Sequence, residues 1–290
     1  MFMCSGRPTG AGAHPSTILQ TFRLPEPVKG ELELRFRPTG KEKADTAAVE
    51  NTVSEIIMPK SYLAEYVQYL GNAVPKDTLN VLCVGNSFTY YWGCPAMLKE
   101  IAWNEGHYLR VKSTLKGGQT LGDHLALPVS RNVVNAGRYD FAFFQDQSQS
   151  PARYASDTTQ FDYVNTNFLK LTDRLLSRSR NCRVILESTW SFEKDDFGGF
   201  GSHAAFDSLM TIGTSMMVRN ASKIFGANDF EVSPIGRAFS IVRNENPGID
   251  LYSADSKHQS DYGSYLKACV NYLMIFRKPF QSQPADGATS

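Results

Sequence analysis

No stretch of this 290-residue chain approaches the ~18 consecutive apolar residues of a membrane-crossing helix, so no membrane span is expected. Neither charge sign is in surplus: Lys and Arg number 30 against 29 Asp and Glu, a net charge of +1. The basic excess that marks a nucleic-acid binder is missing, and no nucleic-acid partner is expected. The five cysteines, Cys4, Cys83, Cys94, Cys182 and Cys269, contain no Cys-x-x-Cys, so neither a zinc knuckle nor a thioredoxin-type site has support. Cys83, Cys182 and Cys269 lie inside apolar stretches and are expected to be reduced core residues. No His-x-x-x-His or Glu-x-x-His occurs, and no metal is expected. Met1 to Pro8 lacks a charged segment followed by ~7–15 apolar residues, so no signal peptide is visible and the cytoplasm is favoured, unless the N-terminus is trimmed from a secreted or periplasmic protein.

What is present is a folding composition. The chain is 42% hydrophobic, 12% aromatic and 20% charged, which argues against disorder and allows a substantial core without staples. Residues 1–78 form an N-terminal extension with no chemical motif. Its first 17 residues, rich in Gly, Pro, Ser and Thr, are expected to be poorly ordered. Glu31 to Phe36 alternates as a half-buried strand does, and Val49 to Leu70 has helical character interrupted by Pro59.

From Leu79 to Phe280 the pattern becomes regular, before a flexible tail at 281–290. Val81–Val84, Tyr108–Lys112, Phe141–Phe144 and Val184–Leu186 are strand candidates. Pro95–Glu105, Phe161–Arg180, Ala204–Phe225 and Gly263–Phe276 are helix candidates, with Gly213 weakening the third. Alternation of this kind predicts a three-layer α/β/α domain with a central, mostly parallel sheet of flavodoxin-like type. In such sheets ligands bind beyond the carboxyl ends of the strands.

The chemistry-bearing residues fall at those ends. After the first strand comes Gly85-Asn86-Ser87-Phe88-Thr89, where Gly85 permits a tight turn and Ser87 is placed to act as a nucleophile if a base reaches it. Alone, Ser87 is as compatible with a turn or a helix cap. After the second comes Gly117-Gly118, whose small residues let backbone N–H groups approach an oxyanion. After the third comes Gln145-Asp146-Gln147-Ser148, where an amide can donate to that oxyanion. Near the C-terminus Asp255 and His258 stand three apart, a spacing that lets the carboxylate orient the imidazole. Each signal is weak alone; their order along the chain is not. Tyr90, Tyr91, Trp92, Trp190 and Phe192 follow strand ends, where aromatic rings either stack on a sugar or pack the rim. Asp123-His124 lies after the glycine loop and is either a cleft lining or surface. His107 falls at a helix end and His203 in a glycine-rich loop.

In this order the residues resemble the SGNH (GDSL-like) hydrolase superfamily over roughly Leu79 to Phe280. Gly85-Asn86-Ser87-Phe88 is similar to its first block, with Asn86 where many members carry aspartate. Gly118 matches the second-block glycine, and Asp255-x-x-His258 the last block. The third block departs from the usual Gly-x-Asn-Asp. Phe143-Phe144-Gln145-Asp146-Gln147-Ser148 is more similar to the Trp-Tyr-Gln-Gly-Glu-Ser of sialate O-acetylesterase-like and acetylxylan-esterase-like branches. Closest is an uncharacterised branch common in gut Bacteroidetes, whose Asp-x-x-His-x-Ser-x-x-Gly-x-Tyr-Leu ending is followed by Asp255 to Leu266.

The resemblance implies a serine esterase with a Ser87–His258–Asp255 triad and no cofactor. Its oxyanion hole would comprise Ser87, Gly118 and Gln145, with Gln147 as second candidate. Tyr91, Trp92 and Trp190 would contact the substrate, a small acyl ester, acetyl first, of a carbohydrate. The rival readings are a non-catalytic glycan-binding relative and an acyltransferase on the same fold.

Overall fold

The computed structural model describes residues 77–194, 198–226 and 230–278. The strand and helix expected within 1–76, and the tail at 281–290, lie outside them.

Five strands form one sheet: β1 (Leu79–Gly85), β2 (Leu109–Leu115), β3 (Phe141–Phe144), β4 (Arg183–Glu187) and β5 (Phe230–Ser233). Their order is β2-β1-β3-β4-β5 and every pairing is parallel. The expectation of a parallel α/β/α domain therefore holds. β1 has neighbours reached by connections running in opposite directions, and the crevice at its carboxyl end is the switch point of this topology.

Alternation along the central strands explains the layers. Leu82, Val84, Ala142, Phe144, Val184 and Leu186 face one way. They meet α3 (Leu121–Ala126), α4 (Pro128–Asn135), α5 (Ser150–Ser156), α6 (Asp162–Leu176) and α7 (His203–Phe225). Val81, Cys83, Phe141, Phe143 and Ile185 face the other way. They meet α2 (Cys94–Asn104) and α9 (Asp261–Phe276). A short α8 (Ile235–Glu245) packs beside α9. The central strands are buried on both faces, which is why they read as continuous apolar runs.

Cys83, Cys94, Cys182 and Cys269 are free and buried. Burial pushes the Cys94 thiol up to about 12 and the Cys269 thiol up to about 11, so neither is a nucleophile at neutral pH.

Gly213 does not end its helix. It sits inside α7 because α5 crosses there: a Cβ at Gly213 would lie 1.9 Å from the Pro151 carbonyl oxygen. In an open helix Gly→Ala gains ~1 kcal/mol. Here the sign should reverse, with Gly213→Ala losing about 1–3 kcal/mol to overpacking. Urea unfolding of the two proteins measures this, and an unchanged or raised midpoint would refute the crossing.

Candidate active site

Ser87 opens a single helical turn, α1 (Ser87–Tyr90), immediately after β1. Asn86 caps it, accepting from Phe88 N–H at 3.1 Å through Oδ1. A tight 3₁₀ turn over Tyr91–Gly93 follows, with Trp92 in the left-handed region at φ 54°. Gly85 is required by close approach: a Cβ there would stand 2.7 Å from Thr89 Oγ1 and 2.8 Å from Gln145 Oε1.

His258 arrives from the loop before α9. Its Nε2 lies 2.8 Å from Ser87 Oγ, and its Nδ1 lies 2.5 Å from Asp255 Oδ2. A carboxylate can only accept, so Nδ1 carries the proton and Nε2 is left to accept from the serine hydroxyl. The other Asp255 oxygen, Oδ1, accepts from the N–H groups of Lys257 (3.0 Å) and His258 (2.9 Å), fixing the loop. Partial burial pushes the Asp255 carboxyl up, but the His258 ring and these two N–H groups outweigh it and hold the pKa below its ordinary value. The Asp255 side chain remains 46% exposed. The structure thus brings together the three residues that the sequence singled out as a triad.

The turn carrying Ser87 is fastened from several sides. Gln145 Oε1 accepts from Asn86 N–H (2.9 Å) and Thr89 Oγ1 (3.0 Å), while its Nε2 donates to the Asp146 carbonyl. Asn86 Nδ2 donates to the Gln119 carbonyl at 2.9 Å, tying the serine turn to the glycine loop. Gln145 is therefore a buried staple between strand ends, and its expected place as oxyanion donor is corrected: it is 1% exposed, with Oε1 holding the serine turn and Nε2 turned to the Asp146 carbonyl. Gln147 is half-buried, with Oε1 accepting from Gln149 N–H at 2.9 Å and Nε2 donating to Ser148 Oγ at 3.2 Å. Gly118 lies at φ 70° in the exposed glycine loop. Among the described residues, the N–H groups of Ser87 and Gly118 donate to no protein acceptor.

Beneath the turn lies a feature that the sequence analysis missed. Lys267 of α9 is fully buried, and its Nζ donates to Glu187 Oε2 (2.6 Å), the Phe88 carbonyl (2.8 Å) and Thr89 Oγ1 (3.0 Å). Glu187 Oε1 accepts from Asn271 Nδ2 at 2.7 Å. Lys267 and Asn271 are one helical turn apart, and that spacing is the only trace of this arrangement in the sequence.

Two more expectations are corrected. Trp190 is 0% exposed, stacked between Phe88 (4.6 Å between ring centroids) and Phe239 (4.3 Å), with Nε1 donating to the Lys257 carbonyl. It supports the site from behind, with both ring faces covered by Phe88 and Phe239. His124 is neither surface nor cleft lining: Nε2 donates to the Gly85 carbonyl and Nδ1 accepts from Ser130 Oγ, both at 2.9 Å. Burial lowers its pKa, which keeps the ring neutral. His107 stacks on Phe276, and His203 begins α7 with Nδ1 bonded by Arg243 and Ser191. Trp92, by contrast, is 50% exposed, its indole pinned by Nε1 to the Gln259 carbonyl at 3.1 Å.

No family model matches the sequence, and no curated protein does either. Solved structures do match. A DUF4886 family protein from Bacteroides uniformis superposes on 72% of this chain and 88% of its own, with a TM-score of 0.56 and 17% identity. The acetylxylan esterase Axe2 from Geobacillus stearothermophilus matches over 72% of this chain and all of its own, with a TM-score of 0.51 and 14% identity. The acetyl xylan esterase AlAXEase covers 68% of this chain and all of its own, also with a TM-score of 0.51 and 14% identity. The chain has the SGNH hydrolase fold. On this fold, Ser87 lies beyond the first strand, and His258 returns to it from the loop before the last helix.

Asp146 gives the site's framework a pH signature. Its Oδ1 accepts from Leu121 N–H (3.0 Å) and Gln147 N–H (2.7 Å), yet burial pushes its pKa up to about 6. In an unfolded chain such a group titrates near ~3.9. Between these values the folded state keeps a proton that the unfolded state has lost, so stability falls as pH rises from about 4 to about 6. Asp146→Asn retains an Oδ1 for both N–H groups and removes that slope. Its stability relative to wild type should rise by up to about 3 kcal/mol across the window. Urea unfolding at pH 4 and pH 6.5 checks this; a pH-independent difference would contradict it.

Proposed function

We propose that the protein is a serine esterase that hydrolyses small acyl esters, acetyl first, on carbohydrate. The observation that carries this reading is the continuous hydrogen-bonded line Ser87 Oγ–His258 Nε2 (2.8 Å) and His258 Nδ1–Asp255 Oδ2 (2.5 Å) at the mouth of the sheet's switch point.

In this mechanism His258 takes the Ser87 proton as Oγ attacks the ester carbonyl, and Asp255 stabilises the imidazolium. The negative charge on the tetrahedral oxygen is met by the N–H groups of Ser87 and Gly118, which have no acceptor among the described residues. Gln145 is fully buried, so any amide contribution rests with the half-buried Gln147, whose Nε2 carries a second proton beyond the one given to Ser148 Oγ. His258 returns its proton to the leaving alcohol. Water then attacks the acyl-enzyme, again giving its proton to His258, and the carboxylic acid departs as Ser87 is reprotonated. No step calls for a cofactor.

The substrate class rests on two supports. Trp92 presents an exposed indole, held at its edge, on the loop that carries the nucleophile. An aromatic face fixed beside a reactive serine suits the apolar face of a sugar ring. The acetylxylan esterases are structures of the same fold, and their named substrates agree with this chemistry.

Acid release from p-nitrophenyl acetate and from acetylated xylooligosaccharide tests the reading. Ser87→Ala should lower kcat on the order of 10⁶-fold. Gln147→Ala should cost about 10²–10³-fold, while Gln145→Ala should chiefly lower stability by leaving Asn86 N–H and Thr89 Oγ1 without their acceptor. Hydrolysis that survives Ser87→Ala, or free sugar binding without hydrolysis by the wild type, would overturn it. Acyl-sugar product in place of free acid would instead identify a transferase.

A further inference from the structure

We infer that Tyr91 is a positioning residue for His258, holding the imidazole by its ring face, and is not the sugar contact that its place after the first strand suggests. This rests on the Ser87–His258 reading above.

The geometry is as follows. The Tyr91 and His258 rings are stacked, with centroids 4.2 Å apart and planes 17° from parallel. On the His258 ring Phe88 also packs edge-on, at 5.2 Å and 68°. Phe88 is braced by the stacked Trp190, and Trp190 by Phe239. Two hydrogen bonds fix the imidazole in its own plane, at Nδ1 and Nε2. Neither stops the ring from rocking about the line between them. Tyr91 and Phe88 supply that constraint.

Tyr91 is itself anchored. Its N–H donates to the Ser87 carbonyl as the cap of α1, and its carbonyl accepts from Ser264 Oγ of α9 at 3.0 Å. The residue thus bridges the nucleophile's turn to the helix that follows the histidine. The face laid on the imidazole is closed to a sugar, whereas Trp92, the next residue, has an open indole.

The stacking also has a catalytic consequence. The imidazole becomes a cation only as Ser87 attacks, and the electron-rich face of a tyrosine attracts a cation more than a neutral ring. The contact is therefore stronger in the transition state than in the ground state, and interactions of that kind raise kcat without changing substrate affinity.

The test uses two substrates and three proteins. For the wild type, Tyr91→Phe and Tyr91→Leu, kcat and KM are measured on p-nitrophenyl acetate and on acetylated xylooligosaccharide. Tyr91→Leu should lower kcat about 3- to 30-fold, equally on both esters, with KM unchanged. Tyr91→Phe, which keeps the ring face, should stay within about twofold of wild type and shows that the position tolerates substitution. A raised KM confined to the oligosaccharide, with normal kcat on p-nitrophenyl acetate, would overturn the inference and make Tyr91 a sugar contact. Equal losses in Phe and Leu would also overturn it. Ser87→Ala assayed alongside separates the two claims: if that variant keeps wild-type turnover, the serine reading itself fails, and with it this inference.

Discussion

The buried ion pair between Lys267 and Glu187 is the interaction on which the site depends. A single helical turn makes too few internal hydrogen bonds to hold itself, because nucleating a helix fixes several residues for one bond. The turn at Ser87–Tyr90 is of this kind, and its Phe88 carbonyl would be buried without a partner were it not for the Lys267 ammonium. Two charges taken out of water repay their desolvation only when every remaining donor and acceptor is engaged. That condition is met here. All three Lys267 protons have acceptors, and both Glu187 oxygens accept, from Lys267 and Asn271. Asn271 in turn accepts from Ser233 at the end of β5. The chain of bonds runs from the far edge of the sheet to the turn that carries Ser87.

This arrangement solves a problem of assembly. Ser87, Gly118, Gln147 and His258 come from four different segments that follow strand ends or precede the last helix, and the proposed catalysis requires them to agree to within a fraction of an ångström. Side-chain amides do much of the joining: Gln145 grips Asn86, and Asn86 grips the Gln119 carbonyl of the glycine loop. Asp146 holds the N–H at the start of α3, so the loop after β3 is coupled to the glycine loop from a second direction. Gln259 Nε2 reaches the Ser87 carbonyl at 3.3 Å, linking the histidine loop to the same turn. The hydrophobic layers place the strands; these polar staples place the loops. Asp255 lies partly in water while it holds the imidazole.

Much of this was legible in the sequence. β3 and the apolar stretches of β1 and β4 stood out because strands buried on both faces leave continuous apolar runs. Gly85-x-Ser87, Gly118 and Asp255-x-x-His258 were visible because glycines and short polar spacings constrain the backbone locally. β5 was not, since Phe230-Glu231-Val232-Ser233 is a short edge strand whose alternation is cut off after four residues. The helices over 121–126, 128–135, 150–156 and 235–245 are short, and their patterns are too brief to rise above their neighbours. Gln145, Trp190 and Lys267 failed for a different reason. Each has a long or large side chain whose destination depends on packing between elements distant in sequence. A lysine 0% exposed on an otherwise amphipathic helix cannot be told from a surface one until its partner Glu187, 80 residues away, is brought beside it.

The central claim is that Ser87 is an activated nucleophile, and covalent capture tests it without assuming a substrate. A fluorophosphonate probe is incubated with the protein, followed by intact mass measurement and peptide mapping. The account predicts one adduct per chain, on Ser87, abolished in Ser87→Ala and strongly slowed in His258→Ala. No adduct on Ser87 under conditions that label a control serine esterase, or equal labelling in His258→Ala, would contradict it.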